Sequence, residues 1–268
     1  VNALPAKEKS SAMSLLHAFY CWGQVSVVLL TTLFLFAFGR TAWPAAMLLW
    51  MLLPLINGAV FLRCPLAPQI EAKYRSSVFS VIKNPIFALL VLLIVFAGAS
   101  ELTISQWMSA YAEDALGVPK VAGDVAGMCM FAVMMGIGRT VNGIKGKSSW
   151  LPGLMLAGGF LSLACYIVVA TASSAAVGLI ACALCGLGVS LLWPGILSLS
   201  VRVFPMAGAW MMAIMAAGGD TGASVGPVVT GLIADRSGLQ AGLLVSSVFP
   251  AGVILCLLAI LFLERRES

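Results

Sequence analysis

Charge is scarce in this sequence: only 9% of its 268 residues are Asp, Glu, Lys or Arg, against about a quarter in soluble domains. Hydrophobic residues make up 61%. A soluble fold of this length could not hide that much apolar surface; a lipid bilayer can. Histidine is scarcer still, with His17 alone. One histidine, without a cysteine cluster outside the apolar runs, offers no metal constellation, and no cofactor is expected. Histidine pairs, paired aspartates and a serine with a general base are also lacking, so a membrane-embedded enzyme is excluded. The seven cysteines lie mostly inside apolar runs, which argues against a disulfide framework. Cys182 and Cys185 form a C-x-x-C with no strand before them and read as small packing residues. Gly146, Lys147 and Ser148 end like a phosphate loop, but the first glycine of that motif would fall at Val141. No cleavable signal sequence is visible.

Long apolar runs are abundant. A helix needs about 20 apolar residues to cross a bilayer, and eight stretches qualify: Met13–Phe38, Trp43–Leu62, Pro85–Tyr111, Gly123–Gly143, Trp150–Ala170, Ala175–Val201, Met206–Ala234 and Leu239–Leu263. An outer-membrane barrel would show alternating strands of about ten residues. Runs such as Phe87–Ala97 are apolar throughout, so the expected class is an all-α polytopic membrane protein.

Lysine and arginine set the orientation. With the N-terminus inside, the inner segments hold Lys7, Lys9, Arg63, Lys73, Arg75, Lys83, Arg139, Lys145, Lys147, Arg202, Arg265 and Arg266. The outer ones hold Arg40, Lys120 and Arg236. Both termini are therefore expected in the cytoplasm. The net charge of +5 is a topology signal and gives no case for a nucleic-acid partner. One connection, Arg63–Asn84, is longer and more polar than the rest. It divides the spans into two (1–62) and a block of six (85–268), with 63–84 as a cytoplasmic linker. A six-helix block in a transporter often holds two inverted three-helix repeats.

Several ordered motifs then suggest a family. Leu16, His17, Ala18, Phe19 and Tyr20, followed by Trp22 and Gly23, resemble the start of the fifth helix in many major facilitator transporters. Glu101, Trp107 and Tyr111 resemble the seventh helix of the sugar-permease-like branch. Gly138 and Arg139, with Gly143, Lys145 and Lys147, look like a degenerate copy of the basic loop after the eighth. Gly222, Gly226, Pro227, Gly231, Ala234 and Asp235 resemble the eleventh. The resemblance implies helices five to twelve of a twelve-helix fold, with the first four absent and the C-terminal six-helix half complete. It further implies alternating-access transport of a small polar solute such as a sugar, coupled to H⁺, in a bacterial inner membrane. An exporter of amphipathic compounds and a non-transporting sensor on the same scaffold are the alternatives.

Candidate site residues follow from cost. A carboxylate inside a span is expensive and marks function by default; Glu101 and Asp220 are two such groups. Proton coupling needs a carboxylate that binds and releases H⁺ as access alternates, and burial favours the neutral form. The competing reading has Glu101 bonding a neighbouring helix and Asp220 satisfying backbone groups near glycines. Gln106, Trp107 and Tyr111 suit a sugar-like ligand, with rings to stack and polar groups to bond. Trp107 shares a face with Glu101 only if the helix breaks between them; otherwise Trp107 and Tyr111 are interfacial aromatics. Gly218, Gly222 and Gly226 allow close helix approach. Pro227 and the Trp193, Pro194, Gly195 run invite kinks that could serve as gates. Arg139, Lys145 and Lys147 read as a cytoplasmic charge anchor, or as an interhelical charge lock lacking its usual acidic partner within the loop motif. His17 reads as an interfacial or packing residue. Met128, Met130, Met134 and Met135 read as packing.

Overall fold

The computed structural model describes residues 8–64, 78–114 and 117–267, and every regular element among them is helical. In order they are α1 (Lys9–Phe38), α2 (Trp43–Phe61), α3 (Val78–Ile82), α4 (Pro85–Asp114), α5 (Lys120–Gly123), α6 (Met130–Lys145), α7 (Leu151–Thr171), α8 (Ala175–Val189), α9 (Leu192–Val203), α10 (Ala209–Ser237), α11 (Leu239–Val245) and α12 (Val248–Glu267). A 3₁₀ turn, Arg40–Ala42, joins α1 to α2, and a π-helical segment, Asp124–Cys129, joins α5 to α6. The expected linker falls mainly on 65–77, outside the described residues.

Seven helices among the described residues are long and apolar enough to cross a membrane. The expected count was eight. The remaining one, α10, has 29 residues and spans about 43 Å at 1.5 Å per residue, so length does not disqualify it. Its apolarity is diluted by Gly218, Gly219, Gly222, Gly226 and Gly231 and by Asp220, Thr221 and Ser224. The dilution has a packing cause. A Cβ on Gly222 would lie 1.9 Å from the Val95 carbonyl oxygen, and one on Gly226 would lie 2.6 Å from Thr103 Oγ1. From the facing side, a Cβ on Gly98 would lie 2.3 Å from the Gly219 carbonyl oxygen. Glycines on both helices bring α4 and α10 together backbone to backbone, as small residues do in membranes.

α4 is the centre of the bundle. Leu90, Leu93, Ile94, Ile104 and Tyr111 are fully buried, and α8, α9, α10 and α12 all pack on it. A helix apolar on every side has to be enclosed by protein or by lipid, and α4 is enclosed by protein. α2 shows the other solution. Only Ala46 is buried, while Leu48, Leu52, Leu55 and Phe61 stand exposed, an apolar face suited to lipid or to further helices.

The two expected kink sites differ in their local structure. α10 runs unbroken through Pro227. The chain does break near Pro194, but three residues earlier, between α8 and α9 at Ser190 and Leu191.

Candidate functional site

The buried charges converge. Glu101, on the middle of α4, and Arg139, on α6, form an ion pair with Nη2 to Oε2 at 3.0 Å, their side chains 6% and 2% exposed. Arg139 is the largest fully buried side chain in the described structure. Its Nε donates to the Ser190 carbonyl at 2.8 Å, and its Nη1 donates to the His17 carbonyl and to Cys21 Sγ, both at 3.3 Å. The guanidinium also lies 5.7 Å from the centre of the Tyr20 ring. One side chain thus ties α4, α6, α1 and the α8–α9 break together.

The Ser190 carbonyl is available for a sequence reason. In a continuous helix it would accept from the amide of residue 194. That residue is Pro194, which has no N–H, and the guanidinium takes the vacant place. The Pro194 signal is thereby explained, although as a socket for Arg139.

Arg139 therefore needs correcting as a cytoplasmic anchor. It lies about one and two-thirds turns before Lys145, buried, with its acid on another helix. The loop motif could not reveal that partner, because Glu101 is 38 residues away in the chain. The inner-side charge count must also give up Arg139. Lys145 and Lys147 are exposed, and the Lys147 ammonium sits 5.1 Å from the Trp150 ring centre.

The proposed ligand aromatics are turned into packing. α4 stays regular, so Trp107 does not share the face of Glu101. Its Nε1–H donates to the Pro227 carbonyl at 2.9 Å, and the ring lies over Gly231. Tyr111 is fully buried, and its hydroxyl donates to the Val169 carbonyl at 2.5 Å. Both lock α4 to neighbouring helices. Trp193 is similar, with its ring against Gly219.

Asp220 does not join the ion pair. Gly222 meets Val95 and Gly226 meets Ala99, so in this parallel register Asp220 stands level with Leu93. That is roughly 12 Å along the axis from Glu101 at 1.5 Å per residue. Asp220, Thr221 and Ser224 are exposed on α10. Gln106 is exposed on α4, about 20 Å further along the axis by the same rise.

A polar seam between α1 and α6 escaped the sequence reading. Asn142 Nδ2 donates to Ser14 Oγ at 2.7 Å, and Ser11 Oγ donates to the Gly146 carbonyl at 2.8 Å. The Ser10 and Ser148 hydroxyls are 2.8 Å apart. Glu8 accepts from the Ser148 amide at 3.1 Å and its hydroxyl at 2.7 Å. Further along, Trp22 Nε1 donates to Thr140 Oγ1 at 3.2 Å, and Gln24 on α1 reaches Ser105 of α4 at 3.1 Å. Small and polar residues at 10, 14, 18 and 21 carried the signal at helical spacing.

A bundle of apolar helices, centred on a buried ion pair and seamed by polar contacts, is the architecture of a multi-pass membrane protein. The Major Facilitator Superfamily profile matches residues 1–211, and the chain belongs to that family, whose members are transporters rather than enzymes. Two solved structures share the fold. One is the Major Facilitator Superfamily transporter FucP in an outward conformation, with a TM-score of 0.64, 17% identity, and coverage of 83% of this chain and 55% of that one. The other is a variant of the E. coli fucose:proton symporter FucP, with a TM-score of 0.62, 18% identity, and coverage of 83% and 56%. The chain thus spans about half the length of these structures. No curated protein matched.

Proposed function

We propose that the complete protein is a secondary active transporter that moves a small polar solute such as a sugar, coupled to H⁺, by alternating access. The buried Glu101–Arg139 pair carries this reading. A desolvated carboxylate keeps its charge only while the guanidinium compensates it. If the helices part and Arg139 withdraws, Glu101 has to gain water or a proton. Arg139 then acts as a positioning group and Glu101 as the proton carrier.

The α1–α6 seam supplies a surface that can part. Each of its hydrogen bonds exchanges for water at a net cost of about 0.5–1.5 kcal/mol, whereas an interlocked apolar core resists opening. Asp220, Thr221 and Ser224 on α10 offer exposed hydrogen-bonding groups for a hydroxylated solute, and Gln106 on α4, about 20 Å away along the axis, would meet it at another point on its path. The sugar reading leans on the fold shared with a fucose:proton symporter. In this scheme 1–62 holds the last two helices of one half, 63–84 is the linker, and 85–268 is a complete six-helix half. Both termini face the cytoplasm of a bacterial inner membrane.

The test uses membrane vesicles from cells expressing the complete gene. Glu101→Gln should abolish uptake driven by a pH gradient while sparing solute exchange. Unchanged accumulation would remove Glu101 from coupling. Asp220→Asn with normal coupled uptake would return Asp220 to a structural role. Competition by sugars rather than by amphipathic compounds separates this reading from an exporter.

A further inference from the structure

Glu101 is followed on α4 by Ser105, Ser109 and Glu113, at steps of four residues. On a regular helix these form one slowly winding stripe. Both serines are buried, and Glu113 stands exposed at the end of the helix. Each of the first three meets a different element. Glu101 pairs with Arg139 of α6. Ser105 Oγ accepts from Gln24 Nε2 of α1 at 3.1 Å. Ser109 Oγ donates to Asp124 Oδ1, the first residue of the π-helical segment. Asp124 is half-buried and lies at the opposite end of its span from Lys145, which is the outer end in the orientation proposed above. The stripe therefore runs from an exposed, acidic end of the bundle to the buried carboxylate.

We infer that this stripe is the route by which a proton reaches Glu101 from the outer face, taken up by Asp124 and passed on by Ser109 and Ser105. The route presupposes that Glu101 is the proton carrier. Steps of four residues advance about 6 Å, a distance that one water spans with two hydrogen bonds of about 2.8 Å each. Gln24 supplies the place for such a water. Its Oε1 is buried and has no hydrogen-bond partner among the described residues, whereas buried acceptors in native proteins nearly always find a donor. The transfer balances. A proton from bulk water adds to the Asp124 carboxylate, and the bond to Ser109 reverses. Ser109 takes that proton as it gives its own to the next oxygen. The same exchange at Ser105 and at the bridging waters ends with an O–H bond on Glu101, and every hydroxyl is left neutral. Serines also join membrane helices by adhesion alone. An adhesive stripe needs no carboxylate at its open end and leaves no buried acceptor unpaired. The π-helical turn that carries Asp124 is a feature found often at functional sites.

Time-resolved infrared spectroscopy of the complete protein in detergent tests this, with protons released by light from a caged acid as the probe. The protonated-carboxyl signal that disappears in Glu101→Gln belongs to Glu101. Asp124→Asn and Ser109→Ala should each slow its rise about a hundredfold and leave its final size unchanged, because the acceptor is the same. Asp124→Glu keeps a carboxyl at the entrance and should keep the fast rise. A rise as fast as the parent's in both Asp124→Asn and Ser109→Ala would overturn the route and leave Glu101 as the carrier. A smaller final signal at unchanged rate would make the stripe adhesive only. A parent protein with no Glu101 signal would overturn the carrier reading, and the route with it.

Discussion

Arg139 and Glu101 sit 38 residues apart in the chain and 3.0 Å apart in space, both buried. Neither charge has water to fall back on. Removing one partner from such a pair leaves an uncompensated buried charge and costs roughly 3–5 kcal/mol. Arg139→Gln and Glu101→Gln should each lower thermal stability strongly. The double substitution should cost less than their sum, because two neutral amides can bond each other. A cycle measured by thermal unfolding in detergent checks this; strict additivity would mean that the two groups do not depend on one another.

Pro194 prepares the place of Arg139. Pro194→Ala restores an amide that can bond the Ser190 carbonyl, in competition with Arg139 Nε. The α8–α9 break should then tighten, and the new amide at 194 should exchange slowly with deuterium. Fast exchange there would show that the guanidinium holds the carbonyl regardless of the proline.

The α4–α10 contact admits no side chain at Gly222. Even a methyl group would sit 1.9 Å from a backbone oxygen, and backbone cannot swing aside. Gly222→Ala should destabilise the protein by about 1–3 kcal/mol or more. Gly153 on α7 is the control, because a Cβ there meets nothing within 4 Å. Gly153→Ala should leave the melting temperature unchanged or slightly raised. Equal effects at the two positions would contradict the close approach.

The α1–α6 seam should be lockable. In a Cys64→Ser background, Ser10→Cys with Ser148→Cys places two thiols where the hydroxyls stand 2.8 Å apart. Oxidation should join them and stop transport in the complete protein, and reduction should restore it. Transport that continues with the bond formed would mean that this seam never opens.

The same seam should respond to acid. Glu8 is exposed, and the Ser148 hydroxyl and amide hold its carboxyl below the usual carboxylate range. A depressed value contributes stability above the ordinary value of 4.5, lost as pH falls through the lowered one. The distance between spin labels at Leu15 on α1 and Ile144 on α6, both exposed, should therefore widen at acid pH, and Glu8→Gln should remove that dependence. A distance indifferent to pH in the parent would leave Glu8 without this role.

What the amino-acid order settled on its own is the class and most of the helices. Expected and observed limits of α7 differ by one residue at each end, because bilayer thickness imposes a length that hydropathy reports directly. It also supplied the family, through glycines, prolines and charges at fixed places. α10 was the exception to counting by apolarity: its outline was legible, yet its glycines reduce the signal that a lipid-facing helix would carry. The site was legible only in part. Glu101 stood out because a lone carboxylate in a span is costly. Its partner did not, because pairing across helices depends on which faces meet, and that is fixed by packing rather than by spacing along one helix. Packing also turned Trp107 and Tyr111 inward, left Asp220 exposed, and joined Ser10, Ser11 and Ser14 to a helix more than 120 residues away. Local sequence decides what each helix is, since its backbone bonds close within it. Only tertiary contact decides what each side chain faces, and in this protein that placed Arg139 against Glu101.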